Sequence, residues 1–177
     1  MKLLDIVKFK HCPRCGESSL RQNDTQSLVC LSCNFVYYIS PVAAAVAIIE
    51  HEGKIVITKR AKEPHKGMFS FPGGFVHYGE TLEEALIREL REELNLVVSA
   101  PVYLCSHGGK YLYLDVMYFT TIAYFTVKAD DLSKAEARDD IDEFVLVHPD
   151  KIDDEILAFE GDRSAVDKYR KIANPLE

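Results

Sequence analysis

Apolar residues, many of them β-branched or aromatic, form short runs along the chain, and polar stretches separate these runs. The runs 42–50 and Lys54–Arg60 flank a short connection, His51-Glu52-Gly53, which contains the glycine expected of a tight turn. They predict a β-hairpin. Proline and glycine punctuate residues 61–74, which predicts a loop. Further strands are predicted at 97–105, at 110–127, where the segment is long enough to bend or bulge, and at 141–147.

A helical period begins after residue 81. Leucine or isoleucine recurs on one face, within an arc of about 140°, at Leu82, Leu86, Ile87, Leu90 and Leu94. Thr81 followed by Glu84 predicts a capping box at the helix start, and Asn95 is suited to a left-handed C-terminal cap. A last helix is predicted at 162–172. Mixed strands around one long helix and a terminal helix indicate an α/β sandwich with a mixed sheet, rather than a doubly wound sheet.

Three acids of the long helix, Glu89, Glu92 and Glu93, fall in a second arc of about 100° beside the apolar stripe. A solvated helix with the ion pairs Glu84–Arg88 and Arg88–Glu92 is the alternative, but it leaves the like-charged pair Glu89 and Glu93 unexplained. Clustered carboxylates at the edge of a crevice favour Mg²⁺ or Mn²⁺. A backbone carbonyl of the preceding Gly73-Gly74 segment can approach such a site closely, because glycine lacks a side chain.

Four of the five cysteines form two CxxC pairs, Cys12/Cys15 and Cys30/Cys33. Four thiolates in two knuckles predict a closed tetrahedral Zn²⁺ site with a structural role, against the alternative of a redox or disulfide pair. Pro41 separates this polar module from the apolar segment that follows, so we predict a zinc ribbon at 1–40 and a second domain at 41–177. The ribbon is interpreted as a folding or dimerisation platform, which leaves a homodimer open.

Charge and length narrow the function classes. The 177 residues carry a net charge of -7, and lysine and arginine are sparse in the ribbon, which argues against nucleic acid as a partner. The N-terminus lacks the features of a signal peptide, and the apolar runs are too short to span a bilayer. We therefore expect a cytoplasmic protein without a membrane partner.

The helix and the glycines before it also carry a family resemblance. Gly74, five residues, Glu80, seven residues and then Arg88-Glu-Leu-Arg-Glu-Glu-Leu-Asn-Leu96 resemble the Nudix box, with Asn95 in place of the final glycine. The resemblance implies a Nudix α/β/α sandwich and a pyrophosphohydrolase that uses Mg²⁺ or Mn²⁺. It implies that Glu89, Glu92 and Glu93 hold the metal with the Gly74 carbonyl, that Arg88 orients the glutamates, and that Glu80 braces the loop. For the general base it implies a box acid or one of three later acids, Glu136, Asp139 and Asp140, against the alternative that these three simply form a solvated loop.

The combination of a four-cysteine ribbon with this box resembles the NADH diphosphatase branch. That branch carries a Ser-Gln-Pro-Trp motif, whereas this chain has no tryptophan. The missing motif argues against NADH specificity and leaves ADP-ribose and FAD compatible. The resemblance implies a small-molecule nucleotide of the ADP-ribose, FAD or NADH type, cleaved at its diphosphate bond. Arg60 and Lys66 are candidates for phosphate contact and Tyr111 for stacking on adenine, against the alternatives of surface charge and core packing. A nucleoside triphosphate pyrophosphohydrolase and a non-catalytic ligand sensor remain as alternative functions.

Overall fold

The structure is a computed structural model in which residues 8–173 are described. The chain divides into two compact units, one formed by Met1–Pro41 with Lys110–Phe119 and the other by Val42–Gly109 with Thr120–Glu177. Among the described helices, none is both long enough and apolar enough to cross a membrane.

The first unit contains a small antiparallel sheet in the order β1-β2-β3. Its strands are β1 (Leu20–Gln22), β2 (Ser27–Cys30) and β3 (Val36–Tyr38). Leu20 pairs with Cys30, and both side chains are buried together with Leu28 and Cys12. The few buried residues of this unit are therefore centred on its cysteines.

The second unit is built on a mixed sheet in the order β10-β5-β4-β9-β8, in which β4 runs parallel to β9 and antiparallel to β5. Its strands are β4 (Val42–His51), β5 (Lys54–Arg60), β6 (Phe69–Ser70), β7 (Gly73–Phe75), β8 (Val102–Tyr113), β9 (Val116–Lys128) and β10 (Ile141–Val147), of which β8 and β9 extend into the segment assigned to the first unit. The helices are α1 (Leu82–Leu94) and α2 (Glu160–Ala173), with short 3-10 turns at Pro149–Lys151 and Asp154–Ile156.

Both faces of β4 are buried, which explains its continuous apolar run. Ala45, Ala47 and Ile49 pack in one core cluster with the leucines of α1. Val46 and Ile48 point to the other face and pack with residues of α2. A mixed sheet therefore lies between two helices, and the predicted α/β/α sandwich is confirmed.

Strands β4 and β5 separate soon after their hairpin. They pair only at Glu50–Ile55 and His51–Lys54, next to the turn at Glu52 and Gly53. Farther along, β7 pairs with β4, and β6 pairs with β5. The predicted loop 61–74 thus contains β6 and the first two residues of β7, whose pairing is non-local and leaves no periodic signal. This insertion brings Gly73 and Gly74 next to β4.

The helix signals were confirmed, but two strand predictions were wrong in detail. Thr81 and Glu84 form the capping box of α1, and Asn95 caps its other end with φ 54° and ψ 28°. Residues 97–101 are not strand, since β8 begins at Val102. The segment 110–127 is not one bent strand but parts of two, joined by a turn in which Leu114 and Asp115 have positive φ. A leucine in that conformation gives no turn signal in the sequence.

Candidate active site and metal centre

Neither Gly73 nor Gly74 has room for a side chain, and a different neighbour fills the space in each case. In β7 they pair with Val46 and Ala45 of β4. Gly73 has φ 140°, and a Cβ there would collide with the backbone at Ala45. A Cβ on Gly74 would instead collide with the carboxylate of Glu89. The helix acid and the glycine strand are therefore in direct contact, as a shared metal site requires.

Glu93 is a buried carboxylate at the centre of this contact. Its residue is 8% exposed, and the Gly73 N–H donates to its Oε2 at 2.9 Å. Burial raises the pKa of Glu93 to about 8, with further increases from the charges of Glu89, Asp140 and Asp139, while the Gly73 hydrogen bond acts in the opposite direction. Burial also raises the pKa of Glu89. The fold therefore places Glu93 and Glu89 where their ionised forms are disfavoured.

Arg88 organises the acids around it. Its Nε and Nη2 donate to the two carboxylate oxygens of Glu80 at 2.7 and 2.9 Å. Its Nη1 donates to Glu89 at 2.8 Å and to Glu92 at 3.0 Å, and its Nη2 also donates to the Phe75 carbonyl. One guanidinium therefore joins the loop before α1 to two helix acids.

Of the two ion pairs that the alternative of a solvated helix required, Arg88–Glu92 is present, whereas Glu84 does not pair with Arg88. Glu84 closes the capping box by accepting from the Thr81 N–H, so its carboxylate is already engaged. Glu80 takes the place beside the guanidinium and also accepts from the His77 N–H, as expected of a residue that braces the loop. The Arg88 hydrogen bonds lower the pKa of Glu80 to about 2.

The structure thus brings Gly74, Arg88, Glu89, Glu92 and Glu93 together on one side of α1. Glu92 is the most exposed of the three acids, at 49% of its side chain, and its carboxylate contacts the guanidinium. Within residues 8–173, only the four cysteines form a set of three or more potential ligand atoms that all lie within 4.8 Å of one another. The roles of the glutamates as ligands remain predictions.

The three acids proposed as alternative bases lie on the loop before β10. Glu136 is paired with Arg138 at 2.6 Å. Asp139 and Asp140 are both paired with Lys62. Sequence reasoning missed Lys62 as the partner of these acids, because it lies 77 positions before Asp139 and no local pattern connects them.

The predicted substrate residues are less closely grouped. Arg60 donates from Nε to the Pro64 carbonyl, and its guanidinium lies 5.0 Å from the centre of the Phe159 ring. Lys66 is exposed on the loop after β5. Tyr111 is half-buried in β8, in the part of that strand that belongs to the first unit. Their contacts with a substrate remain predictions.

The four cysteines converge as expected of a metal centre. The Sγ atoms of Cys12 and Cys33 are 3.8 Å apart, and those of Cys15 and Cys30 are 3.6 Å apart. Cys12 and Cys30 are buried. The Oγ atom of Ser19 lies 3.1 Å from Cys30 Sγ, and this contact lowers the pKa of Cys30 to about 6. Four sulfur atoms at such separations fit a closed tetrahedral site.

A mixed sheet between two helices, with an acidic helix set against a Gly-Gly strand, defines the class of α/β/α domain to which the second unit belongs. The family model described as NUDIX domain matches residues 39–169. The chain therefore belongs to the NUDIX family.

Three curated relatives show the range of this similarity. An ADP-ribose pyrophosphatase of Methanocaldococcus jannaschii is 50% identical over 60 residues, 34% of this chain and 36% of that protein. An NAD-capped RNA hydrolase, NudC, of Vibrio atlanticus is 28% identical over 92 residues, 51% of this chain and 34% of that protein. A CTP pyrophosphohydrolase of Escherichia coli is 40% identical over 67 residues, 37% of this chain and 50% of that protein. The chain thus spans between a third and a half of the length of these relatives.

A solved structure resembles the chain over most of its length. A NUDIX hydrolase from Nitrosomonas europaea superposes with a TM-score of 0.72 and 27% identity, covering 92% of this chain and 89% of the other.

Proposed function

We propose that the protein is a metal-dependent pyrophosphohydrolase that cleaves the diphosphate bond of a nucleoside diphosphate linked to another moiety. The observation that carries the proposal is the contact of Gly74 and Gly73 with the carboxylates of Glu89 and Glu93, organised by Arg88. Family membership and the pyrophosphatase relatives support it.

The donor set fits a hard divalent cation. Glu89, Glu92 and Glu93 with the Gly74 carbonyl offer only oxygen atoms, as Mg²⁺ and Mn²⁺ prefer. The raised pKa of buried Glu93 indicates a place where positive charge is favoured. When bound there, the metal would neutralise phosphate oxygens and lower the pKa of an attacking water.

The chain's own residues supply position and charge. Arg88 keeps Glu89 and Glu92 on the same side of α1 by donating to both from one nitrogen. Glu80 accepts two hydrogen bonds from Arg88, and these bonds hold the guanidinium in one position even if Glu89 or Glu92 moves. Arg60 and Lys66 offer positive charge for phosphate in a protein that is otherwise acidic.

We further propose that the four cysteines hold one structural Zn²⁺ and that the chain comprises a ribbon at 1–40 and a hydrolase domain at 41–177. The first unit buries few residues, so metal binding would supply much of its folding free energy. Elemental analysis of protein purified without chelator should find one zinc per chain, and Cys30→Ser should lose it. Wild-type protein without zinc would rule out the ribbon proposal.

The relatives and the ribbon support the proposed substrate class. An ADP-ribose pyrophosphatase is among the curated relatives, and the four clustered cysteines fit the ribbon expected from the resemblance to the NADH diphosphatase branch. The CTP pyrophosphohydrolase match favours a second candidate, a nucleoside triphosphate pyrophosphohydrolase. The two reactions differ in the bond that breaks, so their products separate them.

A turnover screen tests the proposal. The purified chain is incubated with Mg²⁺ or Mn²⁺ and ADP-ribose, FAD, NADH or the common triphosphates, and products are separated by chromatography. Water addition across the diphosphate should convert ADP-ribose to AMP and ribose 5-phosphate, and a dinucleotide to two mononucleotides. Release of pyrophosphate from triphosphates, with the diphosphate-linked compounds intact, would establish the second candidate. Binding without turnover would indicate a ligand sensor.

A further inference from the structure

Asn95 stands where the Nudix box has its final glycine. The backbone conformation at this position explains why asparagine is tolerated, but not why it replaces glycine. The residue has φ 54° and ψ 28°, and its N–H donates to the Arg91 and Leu90 carbonyls at the end of α1. Glycine adopts this left-handed conformation at least as readily as asparagine. A helix cap alone would therefore favour the family residue, and the amide side chain points to an additional role.

The side chain of Asn95 holds the segment 130–140, here called the acidic loop. Its Nδ2 donates to the Lys134 carbonyl at 3.0 Å, and its Oδ1 accepts from Arg138 Nη1 at 3.2 Å. Two backbone bonds lie beside these contacts. The Glu136 N–H donates to the Leu94 carbonyl at 3.0 Å, and the Arg138 N–H donates to the Glu93 carbonyl at 2.8 Å. Glycine at position 95 would leave the backbone bonds and remove both side-chain bonds.

The docked loop is linked directly to the candidate active site. Arg138 is bonded to the carbonyl of Glu93, whose carboxylate contacts Gly73. Asp139 and Asp140 follow at once, and Lys62 pairs with both. The Ala61 N–H also donates to the Asp140 carbonyl. The loop is therefore anchored by Asn95 on one side and by the end of β5 on the other.

We propose that Asn95 is a positioning residue, which docks the acidic loop on the C-terminal end of α1 and so places Asp139 and Asp140 beside Glu93. The catalytic consequence rests on the proposed function, whereas the docking does not. Removal of the side chain should loosen the loop without weakening α1 or displacing the glutamates.

Asn95→Gly is the decisive variant, because it keeps the left-handed cap and removes only the docking contacts. Asn95→Asp keeps the acceptor for Arg138 and loses the donor to Lys134. Asn34→Gly is the matched control, because Asn34 also has a left-handed φ of 58° and, like Asn95, donates its backbone N–H to a carbonyl four residues earlier, in a different part of the chain.

The first readout is hydrogen exchange of the Glu136 and Arg138 amides in the metal-free protein. Loss of two hydrogen bonds should accelerate exchange by about tenfold in Asn95→Gly, less in Asn95→Asp and not in the control. The melting temperature of Asn95→Gly should stay close to that of the wild type, because the left-handed cap of α1 is kept. Unchanged exchange of both amides would overturn the docking role.

The second readout is turnover of the substrate found by the screen, together with Mn²⁺ binding. Asn95→Gly should lower kcat by about fivefold to tenfold and alter the pH profile of kcat, with KM and Mn²⁺ affinity unchanged, because the glutamates stay in place. Faster exchange with unchanged kcat and pH profile would overturn the catalytic consequence. Weaker Mn²⁺ binding would show that α1 itself is disturbed, which contradicts the proposal. A wild-type chain without turnover would overturn the proposed function and this consequence, while the exchange rates would still decide the docking.

Discussion

Three glycines allow the geometry of the candidate site to be separated from the stability of the fold. Replacement by alanine adds the same methyl group in three different environments. At Gly73 the methyl group would meet the backbone of β4, at Gly74 the carboxylate of Glu89, and at Gly108 nothing within 4 Å. The three variants therefore test a backbone contact, a site contact and open space.

Gly73→Ala should destabilise the fold. A non-glycine residue at φ 140° is strained by about 1–3 kcal/mol. Moving β4 away from the new methyl group adds about 1–3 kcal/mol. A total of about 4 kcal/mol lowers the melting temperature of a domain of this size by about 8–16 °C.

Gly74→Ala should instead impair activity and leave the fold intact. Gly74 lacks a positive φ, and the atoms in the way belong to a flexible side chain that can rotate. Stability should change by less than about 1 kcal/mol, because Arg88 keeps its two bonds to Glu80. Displacement of Glu89 by about 1 Å should lower turnover by about a hundredfold and weaken Mn²⁺ binding.

Thermal unfolding followed by circular dichroism, Mn²⁺ titration and turnover complete the comparison. Gly108→Ala should match the wild type in all three, or gain slightly in stability, because alanine is favoured over glycine within a strand. Wild-type turnover in Gly74→Ala would refute the assignment of Glu89 to the site. Wild-type stability in Gly73→Ala would refute the close packing of β7 on β4.

Three further substitutions test individual side chains. Glu93→Gln should lower turnover by at least about a hundredfold with an unchanged circular dichroism spectrum, and activity near that of the wild type would place the chemistry elsewhere. Glu80 has its pKa lowered to about 2, so its stabilising effect is present above its ordinary value of 4.5 and is lost as the pH falls towards 2. In urea unfolding, Glu80→Gln should accordingly have a lower free energy of unfolding than the wild type at pH 7, and this difference should shrink at pH 3. A difference that does not change with pH would contradict the Glu80–Arg88 ion pair. Ser19→Ala removes the hydroxyl beside Cys30 and should weaken zinc affinity by about tenfold in a chelator competition, whereas exposed Ser18→Ala should not, and equal affinities would exclude a role for that hydroxyl.

The features that the sequence predicted well are local ones. Both ends of α1 followed from single residues, Thr81 with Glu84 at the start and Asn95 at the end. The arc of acids beside the leucine stripe predicted that all three would lie at a crevice edge, which holds for Glu93 and Glu89, whereas the side chain of Glu92 is 49% exposed. Each of these properties depends on spacing within about four residues, which a helix fixes.

The features that it could not predict depend on pairing between distant segments. Strands β6 and β7 are too short to show an alternation of apolar and polar residues. They form because β4 and β5 separate, so that β7 pairs with β4 and β6 pairs with β5. The pairing of Lys62 with Asp139 and the docking of Arg138 on Asn95 join positions more than 40 residues apart. Their partners are chosen by the register of the sheet, which single-sequence patterns do not encode.

The position of Glu93 argues most strongly that α1 is shaped by function rather than by stability alone. It lies between Leu90 and Leu94, both fully buried, and is itself almost as buried. An apolar residue there would extend the core, whereas a carboxylate must be removed from water close to the charge of Glu89, which opposes its ionisation. Only one hydrogen bond to this carboxylate, from Gly73, is found in the described part of the chain. A divalent cation would favour the ionised form that burial disfavours. A carboxylate at position 93 therefore makes the metal-free fold less stable than an apolar residue would, but makes it better suited to bind metal.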